Sequence, residues 1–453
     1  MEKSKFHGSD GPLYISKPRY VHEISQGLIN AANEECKVDY NGDFGGATLE
    51  GFGPYHMNQW SGRRWSAAQG YIDTRDDESL RDHLDIVTNA RVDQVILEDD
   101  ELSDNSFDKP EKRAMGIRYY KNFTTSSTKS SKQQSYTTVL ASKEVILGAG
   151  VFGSPQILNL SGIGEENMLR RLGIETHINL PGVGKNLMDH VDIAVTCSNP
   201  SREALGVSAV GVSRCVAHLL SYLKDHCKRK SMIFSSNSKF DVGNDFSNYF
   251  MGNMFMSNGV DSGGFARSSD EVEYPDIQFH FFPGSFRNYS LSGFFSHSYS
   301  TNVYLSRPKS RGEVSLRSRN VFDDPIIRHN FLEEQQDVDV LLKGVKIARK
   351  IMSSDALEKY RGSEIEPGGE KRTDRDVELW LRNNCKSAHH PVGTCKMGSK
   401  NDPRAVVDST LRVFGTKNLR VVDGSVFPSH VTGNPWSTIV AIAEKSAAMM
   451  TSK

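Results

Sequence analysis

The chain has 453 residues with 37% hydrophobic content, and its 55 Lys and Arg against 56 Asp and Glu give a formal net charge of −1. That length calls for one or two domains rather than one small core, and the charge balance offers no electrostatic case for nucleic acid or an anionic membrane. No apolar run approaches the roughly 18 residues of a spanning helix. The N-terminal Met1-Glu-Lys-Ser-Lys-Phe-His7 lacks the apolar core of a signal peptide. Six cysteines, at 36, 197, 215, 227, 385 and 395, have no CxxC spacing, which predicts reduced thiols and neither a disulfide nor a zinc framework.

In chain order, His7-Gly-Ser-Asp-Gly-Pro-Leu-Tyr14 is a turn-rich entry to a predicted helix over 20–35. A Gly- and Asn-rich loop (41–54) follows, then Gly62-Arg-Arg-Trp-Ser66 before a helix through Ile72. Leu84-Asp-Ile-Val87 and Asn89-Ala-Arg-Val92 through Leu97 are strand-like. Residues 99–113 and 122–137 are solvated loops around the apolar Met115-Gly-Ile117. Glu144-Val-Ile-Leu147 is a short buried strand before Gly148-Ala-Gly150-Val-Phe-Gly153 and a helix from Pro155 to Leu160. Formally this is G-x-G-x-x-G between strand and helix, a weak signal when it stands alone. Its physics suits a dinucleotide, because glycines let a pyrophosphate approach and a helix N-terminus favours an anion. Leu180-Pro-Gly-Val-Gly184-Lys-Asn186-Leu-Met-Asp189-His190 is a turn motif in which His190 is expected to hydrogen-bond rather than catalyse.

Residues 205–335 read as a different unit, with strands such as Asp276–Phe282 and Ser300–Ser306 forming an antiparallel sheet that walls a substrate pocket. Within it, 224–248 is expected as a surface insertion, its basic cluster at 228–230 solvated. Val338, Leu341, Leu342, Val345, Ala348 and Met352 recur at helical spacing and predict an amphipathic helix on the sheet.

Two C-terminal stretches carry the chemistry. Ser387-Ala-His-His390-Pro-Val-Gly-Thr-Cys395 places an imidazole just before a Pro and a Gly-Thr turn, where backbone geometry fixes its aim. Asn418-Leu-Arg-Val-Val-Asp423-Gly424-Ser425 is a short apolar strand ending in small residues, followed by a loop and a helical segment from Ile439 to Met449. The end of such a strand is where α/β proteins place ligands. A histidine beside it is a candidate proton carrier. Cys395 is expected to pack rather than act as a nucleophile.

The run His390-Pro-Val-Gly-Thr-Cys-Lys-Met-Gly398, then Val421-Val-Asp-Gly-Ser425 and Asn434-Pro435, resembles the C-terminal signature of the glucose–methanol–choline (GMC) flavoenzymes. Gly148 through Ser154-Pro155-Gln-Ile-Leu158 to Gly164 is similar to a second signature of that family, and the segments 355–362, 398–408 and 411–420 resemble its choline dehydrogenase and glucose dehydrogenase-like branches. The resemblance implies an α/β fold: a glutathione-reductase-type FAD-binding domain, incomplete at its N-terminus, plus an α+β substrate domain with a mixed or antiparallel sheet. It divides the chain into 1–195 (FAD-binding region), 196–384 (substrate domain) and 385–453 (return to the FAD domain). The implied activity is FAD-dependent oxidation of a small-molecule alcohol at its CH–OH group. His390 is the implied base or alkoxide anchor and Asn434 its partner, while Val92, Asp423, Gly424 and Pro435 meet FAD. No metal is implied, the electron acceptor stays open, and a choline dehydrogenase-like member would be mitochondrial. His389 is expected to line the pocket. Trp436 stands where the family usually has Asn, which narrows the site or stacks near the flavin. The family's opening strand, Gly-rich loop and acidic ribose ligand do not precede His7. A cofactor-free, non-catalytic remnant that is colourless when purified alone is therefore the alternative expectation.

Overall fold

A computed structural model describes residues 5–60, 63–73, 83–100, 111–121, 135–204, 260–284 and 297–452. The expected insertion at 224–248 and most of the two solvated loops lie outside the described residues. The chain divides into two compact units, one made of 1–83, 192–305 and 338–386, the other of 84–191, 306–337 and 387–453.

The first unit is built on an antiparallel sheet. Its strands Gly51–Pro54, Ser262–Ala266, Ile277–Phe282, Ser298–Leu305, Val191–Ser198 and Glu364–Glu366 are hydrogen-bonded in that spatial order. The alternation of Ile277, Phe279 and Phe281 puts one face of the third strand wholly in the core, where Phe52 stacks on Phe281 and tilts against Phe279. The loop expected over 41–54 thus ends in a strand, because Phe52 and its neighbours find partners in 262–265. The opposite face carries polar side chains: both Asp192 carboxylate oxygens accept from Asn302 Nδ2, at 3.0 and 3.2 Å, and His280 lies across from Asn302 in the register. Burial pushes the Asp192 carboxyl up to about 7.

Two helices cover the sheet unit. Glu23–Cys36 buries Ile24, Leu28 and Ile29, and its N-cap His22 accepts from the Ile24 amide. Gln335–Met352 matches the predicted helical spacing, with Val338, Leu341, Val345, Ala348 and Met352 buried.

The second unit is α/β. The strands Val145–Leu147 and Leu419–Val421 pair in parallel, so residues 274 positions apart in sequence lie side by side. Arg420, only 2% exposed, makes a bidentate pair with Glu144 at 2.7 and 3.1 Å, fixing the two strands in register. Ala90–Asp99, Lys112–Lys121 and Tyr136–Leu140 form an antiparallel meander. The apolar core includes Val95, Leu147, Leu158, Val406, Leu419 and Val421.

Two expectations are corrected here. Leu84–Val87 is not a strand, and Leu84, Ile86 and Val87 are exposed. Pairing starts only at Ala90, after Asn89 turns the chain with a φ of 52°. The helix expected from Pro155 begins at Gly150 instead, with Pro155 inside it. Proline denies the carbonyl four residues earlier its helical partner, and the Thr394 hydroxyl supplies one by donating to Val151 O at 2.6 Å.

Gly344 gives a packing test. A Cβ there would stand 2.5 Å from Cγ1 of the fully buried Val303, a β-branched side chain with little freedom to move. Alanine would add about 1 kcal/mol of helix propensity, yet overpacking costs roughly 1–3 kcal/mol. Gly344→Ala is therefore expected to lower the thermal midpoint in calorimetry, and a raised midpoint would contradict this packing.

Candidate active site

The loop that carries His390 is aimed from below by a buried carboxylate. Asp189, 3% exposed, accepts from the His390 backbone amide at 3.0 Å and from the Ser387 hydroxyl at 2.5 Å. Ser387 Oγ in turn accepts from the His389 amide at 2.9 Å. Burial raises the Asp189 pKa against these hydrogen bonds. The geometry follows from an antiparallel contact in which Met188 and Val392 exchange both backbone hydrogen bonds, at 2.9 and 2.8 Å. Gly393 lets the chain turn there: its φ is 96°, and a Cβ would lie 2.6 Å from Met188 Cε and 2.7 Å from Asn186 O.

Three imidazoles meet above this loop. His190 is wholly buried, with its Nδ1 3.1 Å from His390 Nδ1 and its Nε2 2.9 Å from Val431 O. The His430 ring lies 3.7 Å from that of His190, and its nitrogens face Val431 O at 2.9 Å and His390 O at 2.8 Å. On the outer side, Asn434 Nδ2 is 3.0 Å from His390 Nε2. His390 is half-buried and Asn434 exposed. Burial, with His430 and His389 nearby, pushes the His390 pKa down to about 4. Burial also holds His190 well below its ordinary value and lowers His430.

His390 and Asn434 are thus brought together, and His190 has a hydrogen-bonding place beside them. His389 is exposed with a φ of 62°. Asp423 lies in the same unit, where Oδ2 accepts from the Gly150 amide at 2.9 Å and the Ser154 hydroxyl at 2.6 Å, and Oδ1 from the Ser425 amide at 2.8 Å. Gly424 is buried where a Cβ would press on Ile439 at 3.1 Å, and buried Pro435 precedes the helix Trp436–Thr451. Val92 is half-buried on the 90–99 strand, opposite Tyr119. That strand is tied to the 150–160 helix by Arg91 donating to Gln156 at 3.1 Å. Asp189, Ser387 and His430 were not singled out from sequence. The Asp189-His190 doublet was the available signal, but its pairing with 387–390 depends on a register that sequence does not reveal.

A flavin dinucleotide fits what these residues offer. The helix 436–451 starts without a side-chain cap and follows Asn434-Pro435, so its first-turn amides suit a flavin carbonyl or phosphate. The 150–160 helix begins at the carboxyl end of the parallel pair, where α/β proteins place ligands, but its Gly150 amide is already taken by Asp423. Among the described residues, no group of three or more His, Cys, Asp or Glu side chains is arranged to hold a metal ion.

Comparison with known proteins agrees with this architecture. Family models described as GMC oxidoreductase match residues 1–192 and 308–443. The alcohol dehydrogenase [acceptor] of Pseudomonas putida is 35% identical over 452 residues, covering 100% of this chain and 72% of that one. The mitochondrial choline dehydrogenase of Homo sapiens is 34% identical over 98% of this chain and 66% of its own length. In fold, an FAD-dependent oxidoreductase from Chaetomium thermophilum matches with a TM-score of 0.76 at 23% identity, covering 99% of this chain and 75% of that one. Pyridoxine 4-oxidase from Mesorbium loti matches with a TM-score of 0.75 at 22% identity, covering 98% and 72%.

The buried imidazoles predict a contribution to stability that is lost in acid. In the unfolded chain each histidine takes up a proton near pH 6.5, whereas the folded environment refuses it until lower pH, to about 4 for His390. At these sites the unfolded state then binds more protons, so the histidines' contribution to stability falls as pH drops below about 6.5, while the raised carboxyls of Asp189 and Asp192 act in the opposite sense. In calorimetry from pH 7 to 5, the thermal midpoint of His430→Gln, which cannot titrate at that position, should fall less or rise more than that of the wild type. Equal slopes would contradict the assignment of His430 as a neutral buried ring.

Proposed function

Because the chain belongs to the GMC oxidoreductase family, we propose that it is an FAD-dependent enzyme that oxidises the CH–OH group of a small alcohol. His390 takes the hydroxyl proton and Asn434 holds the substrate oxygen. The observation that carries this reading is the 3.0 Å approach of His390 Nε2 to Asn434 Nδ2 at the surface of the unit. A base and a hydrogen-bond donor side by side are what an alcohol oxygen needs as it becomes an alkoxide.

The chain's own residues divide the work. A substrate hydroxyl entering between the two side chains donates to His390 Nε2 and accepts from the Asn434 amide. His390 is neutral at physiological pH because its pKa lies near 4, so it is free to accept that proton. Asp189 and the Met188–Val392 pairing hold the ring's backbone still, which keeps the reacting atoms in place. When bound, FAD supplies the hydride acceptor. The residues proposed to hold it are Gly424 and Pro435, the backbone at Val92, and the start of the 150–160 helix that Asp423 anchors. Choline is the first donor to test, since a choline dehydrogenase is among the relatives; glucose and simple alcohols follow. The electron acceptor is left unassigned.

The test is the visible spectrum of the purified chain with added FAD, then dye reduction with each donor. A yellow protein that reduces dye supports the reading, whereas a chain that stays colourless at saturating FAD supports a cofactor-free binding module. In the active case, His390→Ala is expected to lower kcat/KM by about 10²–10⁴-fold. The wild-type profile should stay level down to about pH 5 and fall as His390 protonates near pH 4. Undiminished dye reduction by His390→Ala would remove His390 from the mechanism.

A further inference from the structure

His190 has no part in the reaction as proposed, yet its hydrogen bonds dictate where the proton on His390 sits. Val431 O stands 2.9 Å from His190 Nε2. A carbonyl oxygen carries no proton, so this contact is a hydrogen bond only when Nε2 is the N–H of the ring. His190 is 0% exposed and is held neutral by burial and by its neighbours His430 and His390. A neutral imidazole has one proton, so His190 Nδ1 is bare and can only accept. Its partner at 3.1 Å, His390 Nδ1, is then the donor. His390 is likewise neutral at physiological pH, which leaves its Nε2 bare and facing the Asn434 amide at 3.0 Å.

Every other assignment of the two protons sets like against like. With His390 in the Nε2–H form, either two bare Nδ1 atoms oppose each other in a dry interior, or His190 turns a bare Nε2 toward the Val431 carbonyl. Unpaired polar atoms of that kind are costly when buried. The other titratable or charged groups around the pair are His430 on His190, His389 beside His390, Asp189 under the loop, and Arg311 and His329 near His430 and Asp189. Asp189 is engaged with Ser387 and the His390 backbone amide, not with the His390 ring.

We propose that His190 is a positioning residue that locks His390 in its Nδ1–H tautomer and so presents the Nε2 lone pair to the substrate hydroxyl. The catalytic half of this inference rests on His390 being the base; the tautomer itself does not. Sequence separates the two rings by 200 positions, and the Val431 carbonyl sets the order of protons from a third segment.

The tautomer is read directly from protein labelled with ¹⁵N-histidine. Long-range ¹H–¹⁵N correlations at pH 7 distinguish a protonated ring nitrogen from a bare one, and His390→Gln assigns the signal by its loss. The expected pattern is a protonated Nδ1 and a bare Nε2 on His390. In His190→Leu, which removes the acceptor, the pattern is expected to become mixed or reversed, and kcat to fall roughly 10²–10⁴-fold with little change in KM. His190→Asn, whose Oδ1 can accept from His390 Nδ1, should keep the wild-type pattern and recover most of the rate. If His190→Leu does not fold, His190→Gln replaces it, since its longer amide reaches toward Val431 rather than His390 and should lose the pattern. A bare Nδ1 on His390 in the wild type, or an unchanged pattern in His190→Leu or His190→Gln, overturns the proposal. A protonated Nδ1 together with full activity in His390→Ala sinks the catalytic reading alone and leaves the tautomer lock standing.

Discussion

The Asp423 carboxylate is the interaction on which the geometry of this site depends. It sits where the strand 419–421 ends and collects three donors: the Gly150 amide, the Ser154 hydroxyl and the Ser425 amide. Two of the three belong to the start of the 150–160 helix, so one buried side chain joins the end of one parallel strand to the element that follows the other. The turn it makes passes the constraint onward. Gly424 O accepts from the Gly393 amide at 3.0 Å, Ser425 O from Cys395 at 2.8 Å and Val426 O from Met397 at 2.9 Å. The segment after His390 is thereby laid along 424–426, and Thr394 reaches the carbonyl that Pro155 leaves open. His390 owes its position to this relay as much as to Asp189 beneath it.

Much of this was legible in the sequence because short motifs carry their own local physics. A His before Pro-Val-Gly-Thr, an Asn before Pro at a helix start, and Gly-Ala-Gly after a strand each identify a place in the fold, and the structure sets His390 beside Asn434 and Asp423 beside Gly150. What stayed hidden was the set of contacts that depend on register between distant segments. Asp189 and His190 matter because Met188 pairs with Val392, and carrying that pairing two residues further brings His190 opposite His390. His430 has no periodic pattern around it; its role comes from lying tilted against a ring 240 residues earlier. Leu84–Val87 misled for the converse reason, since apolar residues make a strand only where a partner edge exists.

Burial of the histidines has two linked effects. It lowers their proton affinity, leaving a neutral ring at the pH where a base is required, and it removes the competing water that would blur which nitrogen is protonated. The same desolvation makes the histidines' contribution to stability fall in acid, while it raises the Asp189 carboxyl, whose effect has the opposite sign. Reactivity and the pH dependence of stability thus share one cause.

The chain's weaving between its two units has a consequence for how the molecule is made. Each unit draws on three separated segments. The first pairs 51–54 with 262–265 and 196–197 with 364–366, and the second pairs 145–147 with 419–421. On the ribosome, helices such as 335–352 can form as they emerge, but the strand 145–147 has no partner until 419–421 appears, and 191–198 waits for 298–305 on one side and 364–366 on the other. Contacts of such long range slow folding and leave apolar edges open while synthesis proceeds. Each unit therefore closes only after its later segments are made, and the edges of the earlier strands stay open until 364–366 and 419–421 arrive to cover them.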